Sequence, residues 1–358
     1  MIYLQGVDNL CASFIQIFVR NLVEQILTGK PHDDRLSKKY VNLAEERLGA
    51  KVLYATDDFF AEKENLIKPG RGIYIVDKYT ERGKWMDGWE SRRKRVEGHD
   101  YADIKLGARG VIRGFDIDTN HFLGNHPPHA SIEACDVKGE IDDSTEWTEI
   151  LAKSPLDPGS QNFYEIDDDR QWTHLRLHIY PDGGVARFRV YGEVKTDWEK
   201  YSTGDLVDLL SVYNQGRALH CNDMFFSRME NLIAPGRGIN MGDGWETKRR
   251  RTPGNDWVIL SLGRAGEIEE IELDTAHFKG NYPDRFSLEA CDMGDVGEFS
   301  LESFNQANWQ PILGETKLQA DHQHFFKSDE INKIKATHVK LQIYPDGGVS
   351  RLRLWGKI

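Results

Sequence analysis

The stretch THLRLHIYPDGGVARFRVYG, residues 173–192, decides the fold class of this chain. Its first half alternates apolar residues (Leu175, Leu177 and Ile179) with polar ones, and its second half does the same after the Pro-Asp-Gly-Gly turn. A period of two is typical of a β-strand with one buried face. Glycines supply the positive φ that a tight turn requires. We therefore predict two strands joined as a hairpin.

The same pattern occurs a second time as THVKLQIYPDGGVSRLRLWG, residues 337–356. Of the 20 aligned positions, 13 are identical, at an offset of 164 residues. A further match, at an offset of 156, aligns DTNHFLGN (residues 118–125) with DTAHFKGN (residues 274–281). A period of this length is that of a whole domain and is far too long for a solenoid unit. The sequence thus predicts a tandem duplication.

The duplication divides the chain into four predicted segments. They are an N-terminal extension over 1–40, a first repeat over 41–192, a linker over 193–218 and a second repeat over 219–358. In the linker, Leu206, Leu209, Leu210 and Tyr213 recur at helical spacing, which predicts a linker helix.

Many short strands bounded by Gly and Pro turns favour an all-β fold. We expect two β-sandwich domains of the jelly-roll type, side by side, with a few short helices. One helix per copy is predicted, over Asp57–Leu66 and Asp223–Leu232, because each segment opens with an aspartate suited to capping.

Composition excludes several classes of function. The net charge of −12 argues against a nucleic-acid surface, so an anionic ligand would need a local basic pocket. The four cysteines form no CxxC pair, which indicates free thiols in a reducing compartment. The apolar stretch from Leu10 to Ile26 contains Arg20 and Glu24 and is a poor membrane span. We expect a cytoplasmic protein with no membrane or nucleic-acid partner and no bound cofactor.

Four motifs occur twice in the same order: DGWE, DTxHFxGN, SxEACD and YPDGGVxR. This double set, which spans nearly all of residues 40–358, resembles the allantoicase family. The resemblance implies a tandem galactose-binding-like jelly roll, a homo-oligomer, and hydrolysis of allantoate to ureidoglycolate and urea in purine breakdown. It brings no settled catalytic residues. The alternative interpretation is a non-catalytic, galactose-binding-like protein that recognises a ligand.

Release of urea from allantoate breaks a C–N bond at a tetrahedral carbon beside a carboxylate. The reaction needs a cation to hold the carboxylate, an acid to protonate the leaving nitrogen and a base to prepare water. A guanidinium suits the first task because its fork matches a carboxylate.

The basic runs that follow each DGWE motif are the clearest candidates for an anion site in this acidic chain. Within them we single out Arg93 and Arg249, and we add Arg71 and Arg237 from the two Pro-Gly-Arg-Gly segments. A solvated basic turn, or an arginine bracing a loop through backbone carbonyls, remains open as the structural alternative.

The two DGWE motifs place carboxylates three residues apart beside a tryptophan, at Asp87 and Glu90 and again at Asp243 and Glu246. Such surroundings can raise the pKa of one carboxyl enough to leave it a usable acid. Asp side-chain turns around a packed tryptophan explain the same residues nearly as well.

His121 and His277 follow a strand in each DTxHFxGN motif, where a neutral imidazole can act as a base. Asn125 and Asn281 in the same motifs could bind a ureido carbonyl. A histidine that satisfies backbone groups at the rim of the sandwich is the competing interpretation.

No metal site is predicted. His121, His126 and His129 resemble a ligand cluster, but the second copy replaces the last two with Tyr282 and Arg285. The duplication itself leaves three arrangements open: one active site in each domain, one copy that has become structural, or a single site where the copies meet.

Overall fold

A computed structural model describes residues 35–357 of the chain. It divides the protein into two compact units, with the boundary between Glu193 and Val194. Most of the predicted N-terminal extension, residues 1–34, lies outside the described part. Among the described residues no helix is long and apolar enough to cross a membrane.

Most of the regular secondary structure in the first unit is β-strand. Its elements in chain order are helix α1 (Arg35–Lys39), β1 (Val41–Asn42), the 3₁₀ helix η1 (Glu46–Leu48), β2 (Lys51–Ala55), η2 (Lys63–Ile67), β3 (Tyr79–Thr80), β4 (Gly83–Lys84), β5 (Trp89–Glu90), β6 (Asp100–Asp118), β7 (His129–Cys135), β8 (Thr148–Pro155), β9 (Gln161–Glu165), β10 (Gln171–Tyr180), β11 (Gly184–Val185) and β12 (Arg187–Val194).

The second unit repeats the order of the long strands, with η6 in place of β3 and β4 and with an added helix, α2. Its elements are η3 (Trp198–Lys200), β13 (Val207–Asp208), η4 (Val212–Asn214), β14 (Arg217–Cys221), η5 (Met229–Ile233), η6 (Met241–Asp243), β15 (Trp245–Glu246), β16 (Asp256–Asp274), β17 (Arg285–Cys291), α2 (Leu301–Gln306), β18 (Gln310–Lys317), β19 (Gln323–Phe326), β20 (Lys335–Tyr344), β21 (Gly348–Val349) and β22 (Arg351–Lys357).

One long strand links the two layers of each sandwich. The first part of β6 pairs with β2 and β10, and β10 continues the layer through β7 to β8. The last part of β6 pairs with β9 and β12, and β12 pairs with β1. In the second unit β16 takes the same double role. The predicted all-β tandem of two β-sandwich domains with short helices is confirmed.

The alternation that predicted the strands also defines the core. Leu175, Leu177 and Ile179 on β10 are fully buried, and so are Phe188 and Val190 on β12. Arg176, His178 and Tyr180, which alternate with the first three, are only half-buried and lie on the opposite face of the sheet.

The predicted hairpin is wrong. Strand β10 pairs with β6 and β7, whereas β12 pairs with β1 and β6, so the two do not pair with each other. The intervening turn carries the chain to the other layer because its backbone bonds elsewhere: Gly184 N donates to the Asn125 carbonyl (2.7 Å), and Ser91 N donates to the Gly183 carbonyl (3.2 Å). Alternation therefore identified both strands but not their partners.

The short helices predicted over Asp57–Leu66 and Asp223–Leu232 are largely wrong as well. Only the 3₁₀ helices η2 and η5 form there, and they begin at Lys63 and Met229. The carboxylate of Asp57 does not cap a helix. It accepts hydrogen bonds from the Phe59 N–H (3.1 Å) and the Arg92 N–H (2.9 Å), which closes a turn and anchors the basic run.

The predicted linker helix is absent from residues 194–218, which form η3, β13, η4 and the start of β14 instead. Leu209 and Leu210 are buried, as a packed helix would require. Their backbone, however, follows the sheet, because Val207 pairs with Gly356 and Leu209 N donates to the Leu354 carbonyl (2.8 Å). Hydrogen bonding to β22 therefore replaces the helical pattern.

The Gly184→Ala variant should be destabilised by about 1–3 kcal/mol, because a core position without free volume is being overpacked. A Cβ at Gly184 would lie 2.0 Å from ring atoms of the buried Phe122. Gly124→Ala is the matched control, since a Cβ there would meet no atom within 4 Å. Denaturant midpoints measure both; equal midpoints for the two variants would contradict the close packing of Phe122 on this turn.

Candidate active site

A single turn organises the candidate site of the first repeat. The turn Tyr180–Gly184 contains a cis Tyr180–Pro181 peptide bond, and its last residue pairs with Glu90 of β5. On its other side, Lys94 N donates to Asp182 Oδ2 (2.7 Å) and Asp100 N donates to the Pro181 carbonyl (3.1 Å). The DGWE loop, the basic run and the start of β6 are therefore all hydrogen-bonded to the same turn.

The structure brings Glu90 and Asn125 together. The Asn125 side-chain Nδ2 donates to Glu90 Oε1 over 2.6 Å, and the equivalent Asn281 Nδ2 donates to Glu246 Oε1 over 2.5 Å. Burial raises the pKa of Glu90, and the bond from Asn125 opposes this only in part. In the described part of the chain, Glu90 has no cationic partner. It is therefore a carboxyl group that can retain a proton.

Each motif histidine has a defined ring orientation. His121 (φ 70°) directs Nε2 to the Gly72 carbonyl (3.1 Å), and His277 (φ 72°) directs Nε2 to the Gly238 carbonyl (2.8 Å). Because a carbonyl only accepts, His277 Nε2 carries the hydrogen and its Nδ1 keeps a lone pair. His121 Nε2 also lies 3.0 Å from Asn120 Nδ2. Burial lowers the pKa of His121, and the Tyr74 ring lies 5.6 Å away, centroid to centroid.

Arg71 and Arg237, predicted to bind substrate, each face a buried aspartate at the end of a long strand. Arg71 bonds Asp118 through Nε and Nη2 (both 3.2 Å), and Arg237 bonds Asp274 in the same way (3.0 and 3.3 Å). The forked geometry fits a group that braces the loop beside the histidine.

Asp87 and Asp243 are held in ion pairs with arginines that the sequence reasoning did not select. Asp87 Oδ2 accepts from Arg187 Nη2 (2.8 Å) and from the Ile73 N–H (2.9 Å). Asp243 Oδ2 accepts from Arg351 Nη2 (2.7 Å). The signal for both arginines was present, since each ends a YPDGGVxR motif.

Arg93 and Arg249 are exposed, and within residues 35–357 neither makes a hydrogen bond or an ion pair. Their neighbours are occupied: Arg92 bonds Asp57 and Lys94 bonds Asp100 (2.5 Å). In each basic run the second residue is therefore a cation available to an anionic ligand.

The histidines considered as metal ligands do not form a cluster. Among the described residues, no group of three or more His, Cys, Asp or Glu side chains could hold a metal ion. His121 instead bonds the backbone of the Pro-Gly-Arg-Gly segment, as described above.

Comparison with known proteins relates this chain to one family. The allantoicase repeat matches residues 41–195 and 207–358. The chain is 49% identical to "Probable allantoicase 1" of Burkholderia mallei, covering 92% of this chain and 97% of that protein. It is 51% identical to a "Probable allantoicase" of Pseudomonas fluorescens, covering 90% and 97%.

Solved structures agree. The crystal structure of allantoicase from Saccharomyces cerevisiae superposes with a TM-score of 0.76 at 37% identity, covering 94% of this chain and 97% of that one. The repeat match, the identity over most of both chains and the shared architecture all lead to one conclusion. The chain belongs to the allantoicase family.

Proposed function

We propose that this protein hydrolyses allantoate to ureidoglycolate and urea, with Glu90 and Asn125 at the centre of the site. The observation that carries the proposal is the Glu90 carboxyl group, which is largely removed from water, bonded only by a side-chain amide among the described residues, and present again as Glu246 with Asn281. Urea release needs such an acid, and the named relatives support the substrate.

Acid catalysis and substrate binding each have residues with the appropriate chemistry. Glu90, when protonated, donates to the leaving nitrogen, while Asn125 fixes its carboxyl plane. His121, whose Nε2 lies beside the Gly72 carbonyl, has a ring that can bond a ureido group of the substrate. Arg93 supplies the unpaired guanidinium for the substrate carboxylate.

Four of the predicted site residues receive a positioning role in this proposal. Asp87 and Asp243 hold the DGWE loop through their arginine partners, and Arg71 and Arg237 hold the segment that faces the motif histidine. Because these charges are already paired, they are poorly suited to exchange protons or to bind a new anion.

The direct test is urea release from allantoate by the purified protein, measured with and without a chelator. Urea above background in a folded sample supports the proposal, and its absence would refute it. Loss of activity on chelation would show that a metal ion takes part in the reaction.

The pH dependence should report the acid. Glu90 donates a proton only while protonated, so kcat/KM falls as pH rises through its pKa, which burial places above the ordinary value of 4.5. Asn125 donates a hydrogen bond that favours the ionised form. Asn125→Leu should therefore move this descending limb to higher pH, whatever its effect on the absolute rate. If the descending limb stayed at the same pH in Asn125→Leu, the limb would not report the ionisation of Glu90.

We also propose a cytoplasmic homo-oligomer. The three described cysteines (Cys135, Cys221 and Cys291) are free thiols, which suits a reducing compartment. The oligomer rests on the family resemblance alone, and light scattering of the purified protein measures it.

A further inference from the structure

A second polar network lies on the outer face of the first sandwich. His99, just before β6, His178 on β10 and Glu133 on β7 form a continuous chain of hydrogen bonds. His99 Nε2 lies 2.9 Å from His178 Nδ1, and His178 Nε2 lies 2.9 Å from Glu133 Oε2. The Tyr180 ring lies 4.4 Å from the His99 ring, centroid to centroid. We call these three residues the relay.

Hydrogen-bond chemistry allows one arrangement of protons in the neutral relay. The Glu133 carboxylate only accepts, so His178 Nε2 carries a hydrogen and His178 Nδ1 does not. His178 Nδ1 must then accept from His99 Nε2, which leaves a lone pair on His99 Nδ1. In the described part of the chain no other group bonds that nitrogen. The carboxylate therefore fixes the tautomers of both rings.

The relay can accept one proton without losing a bond. A proton added at His99 Nδ1 leaves both hydrogen bonds intact, and the positive charge is stabilised through His178 by Glu133. A second proton would place two donors face to face and break the bond between the rings. Burial, and then the nearby His178 and Lys94, lower the pKa of His99, which favours the neutral form that can accept a proton.

The charged and titratable groups around the relay are already paired or are cationic. Lys94 bonds Asp100 (2.5 Å), and Arg176 bonds Asp103 (2.6 Å) and lies over Tyr101. Lys153 lies over the ring of Tyr180, whose hydroxyl bonds Ser131 (2.9 Å). Among the described residues, Glu133 is thus the one carboxylate bonded to either histidine of the relay.

The second repeat preserves this network but removes its proton carriers. Asn255 Nδ2 donates to Gln342 Oε1 (3.3 Å), and Gln342 Nε2 donates to Glu289 Oε2 (3.0 Å). The direction of donation is the same as in the relay, and the carboxylate is retained. Amides hold their hydrogens, however, and cannot exchange them as imidazoles do. The two copies therefore share a geometry and differ in acid–base chemistry.

The turn Tyr180–Gly184 connects the relay to the candidate site. Its first residue packs on the His99 ring, and its last residue pairs with Glu90. Between them, Asp182 bonds Lys94, and Lys94 Nζ also donates to the His99 carbonyl (3.4 Å). The four steps from Tyr180 to Gly184 span at most about 14 Å, so one short turn contacts both the relay and the strand that carries Glu90.

We propose that His99 is a proton acceptor for urea release in the first repeat, held in its reactive tautomer by His178 and Glu133, and that the second repeat carries an inert copy of this network. The proposal rests on the proposed function. Water forms the new C–O bond and gives one proton to His99 Nδ1. The C–N bond breaks with its electron pair on nitrogen, and Glu90 protonates that nitrogen. Exchange with solvent then restores both groups.

The test transfers the network of the second repeat into the first. His99→Asn/His178→Gln keeps the hydrogen bonds and removes the proton carriers, so thermal stability should stay near wild type. We expect kcat to fall about 100-fold, the low end of what a positioned base contributes. The ascending limb of the pH profile, which reports the free base, should disappear.

Glu133→Gln tests the positioning role. Without the negative charge the His99 imidazolium is less stable, so the ascending limb should move to lower pH, which loss of a purely structural contact would not cause. Glu289→Gln, the matched change in the second repeat, should leave both kcat and the limb unchanged. Unaltered kinetics in both first-repeat variants, with active wild type, would overturn the relay alone. A wild type that releases no urea would overturn the proposed function and the relay together.

Discussion

Changing both Glu90 and Glu246 to glutamine should lower kcat for urea release by about 10²- to 10⁴-fold, the range that general acid catalysis contributes. Glutamine fills the same volume and can still bond Asn125 or Asn281, but it has no proton to give to the leaving nitrogen. The free energy of unfolding should therefore change little. The measurement is steady-state urea release together with a thermal melt of the same sample.

The single variants Glu90→Gln and Glu246→Gln show how much of this loss of kcat comes from each repeat. If each repeat carried an independent site, either change alone would leave roughly half the activity. The relay exists only in the first repeat, so we expect Glu90→Gln to account for nearly the whole loss and Glu246→Gln for little.

Glu97→Gln is the matched control for these variants. Glu97 is an exposed carboxylate in the same loop, where a change of charge alone should have little effect on turnover. Wild-type rates in the double variant would show that neither glutamate acts as the acid in the reaction. A melting temperature that fell with activity would instead indicate a structural role.

The features predicted correctly from sequence are those that local pattern determines. A period of two identified β10 and β20 because one face of each is buried, and the repeated motifs identified two domains. The alternation of apolar and polar residues could not predict which strands pair with each other. Strand β12 leaves the layer of β10 because Gly184 bonds the Asn125 carbonyl, a contact 59 positions away in the chain.

Helical spacing misled for a related reason. Leu209 and Leu210 are buried as an amphipathic helix would have them, but the backbone of Leu209 bonds β22, which lies far along the sequence. Side-chain burial is a local signal, whereas the choice between helix and sheet depended on a partner strand. Propensity and spacing carry no information about that partner.

The candidate site shows the same limit. Glu90 and Asn125 were selected separately from their motifs, but the bond between them appears only when β5 and the DTxHFxGN turn are placed in space. The sequence could not separate Asp87 from Glu90 either. The distinction comes from Arg187, which pairs with one carboxylate and not with the other.

Arg351→Met should destabilise the second unit by about 3–5 kcal/mol, because it removes the cation that compensates the buried charge of Asp243. The Arg351 and Asp243 side chains are only 3% and 6% exposed, and Arg351 also donates to the Asp243 and Ser350 carbonyls. Denaturant unfolding measures the loss. Lys317→Met, which breaks the exposed pair with Asp284, is the control and should leave the denaturant midpoint close to that of wild type.

The double variant Arg351→Met/Asp243→Leu distinguishes a buried charge from simple loss of contacts. Removing both charges eliminates the uncompensated carboxylate, so the double variant should unfold at a higher denaturant concentration than Arg351→Met alone. It should remain below wild type, because Asp243 also accepts from the Ile239 N–H (3.1 Å). Wild-type stability in Arg351→Met would mean that the DGWE loop does not depend on this pair, and Asp243 would then return as a candidate for proton transfer.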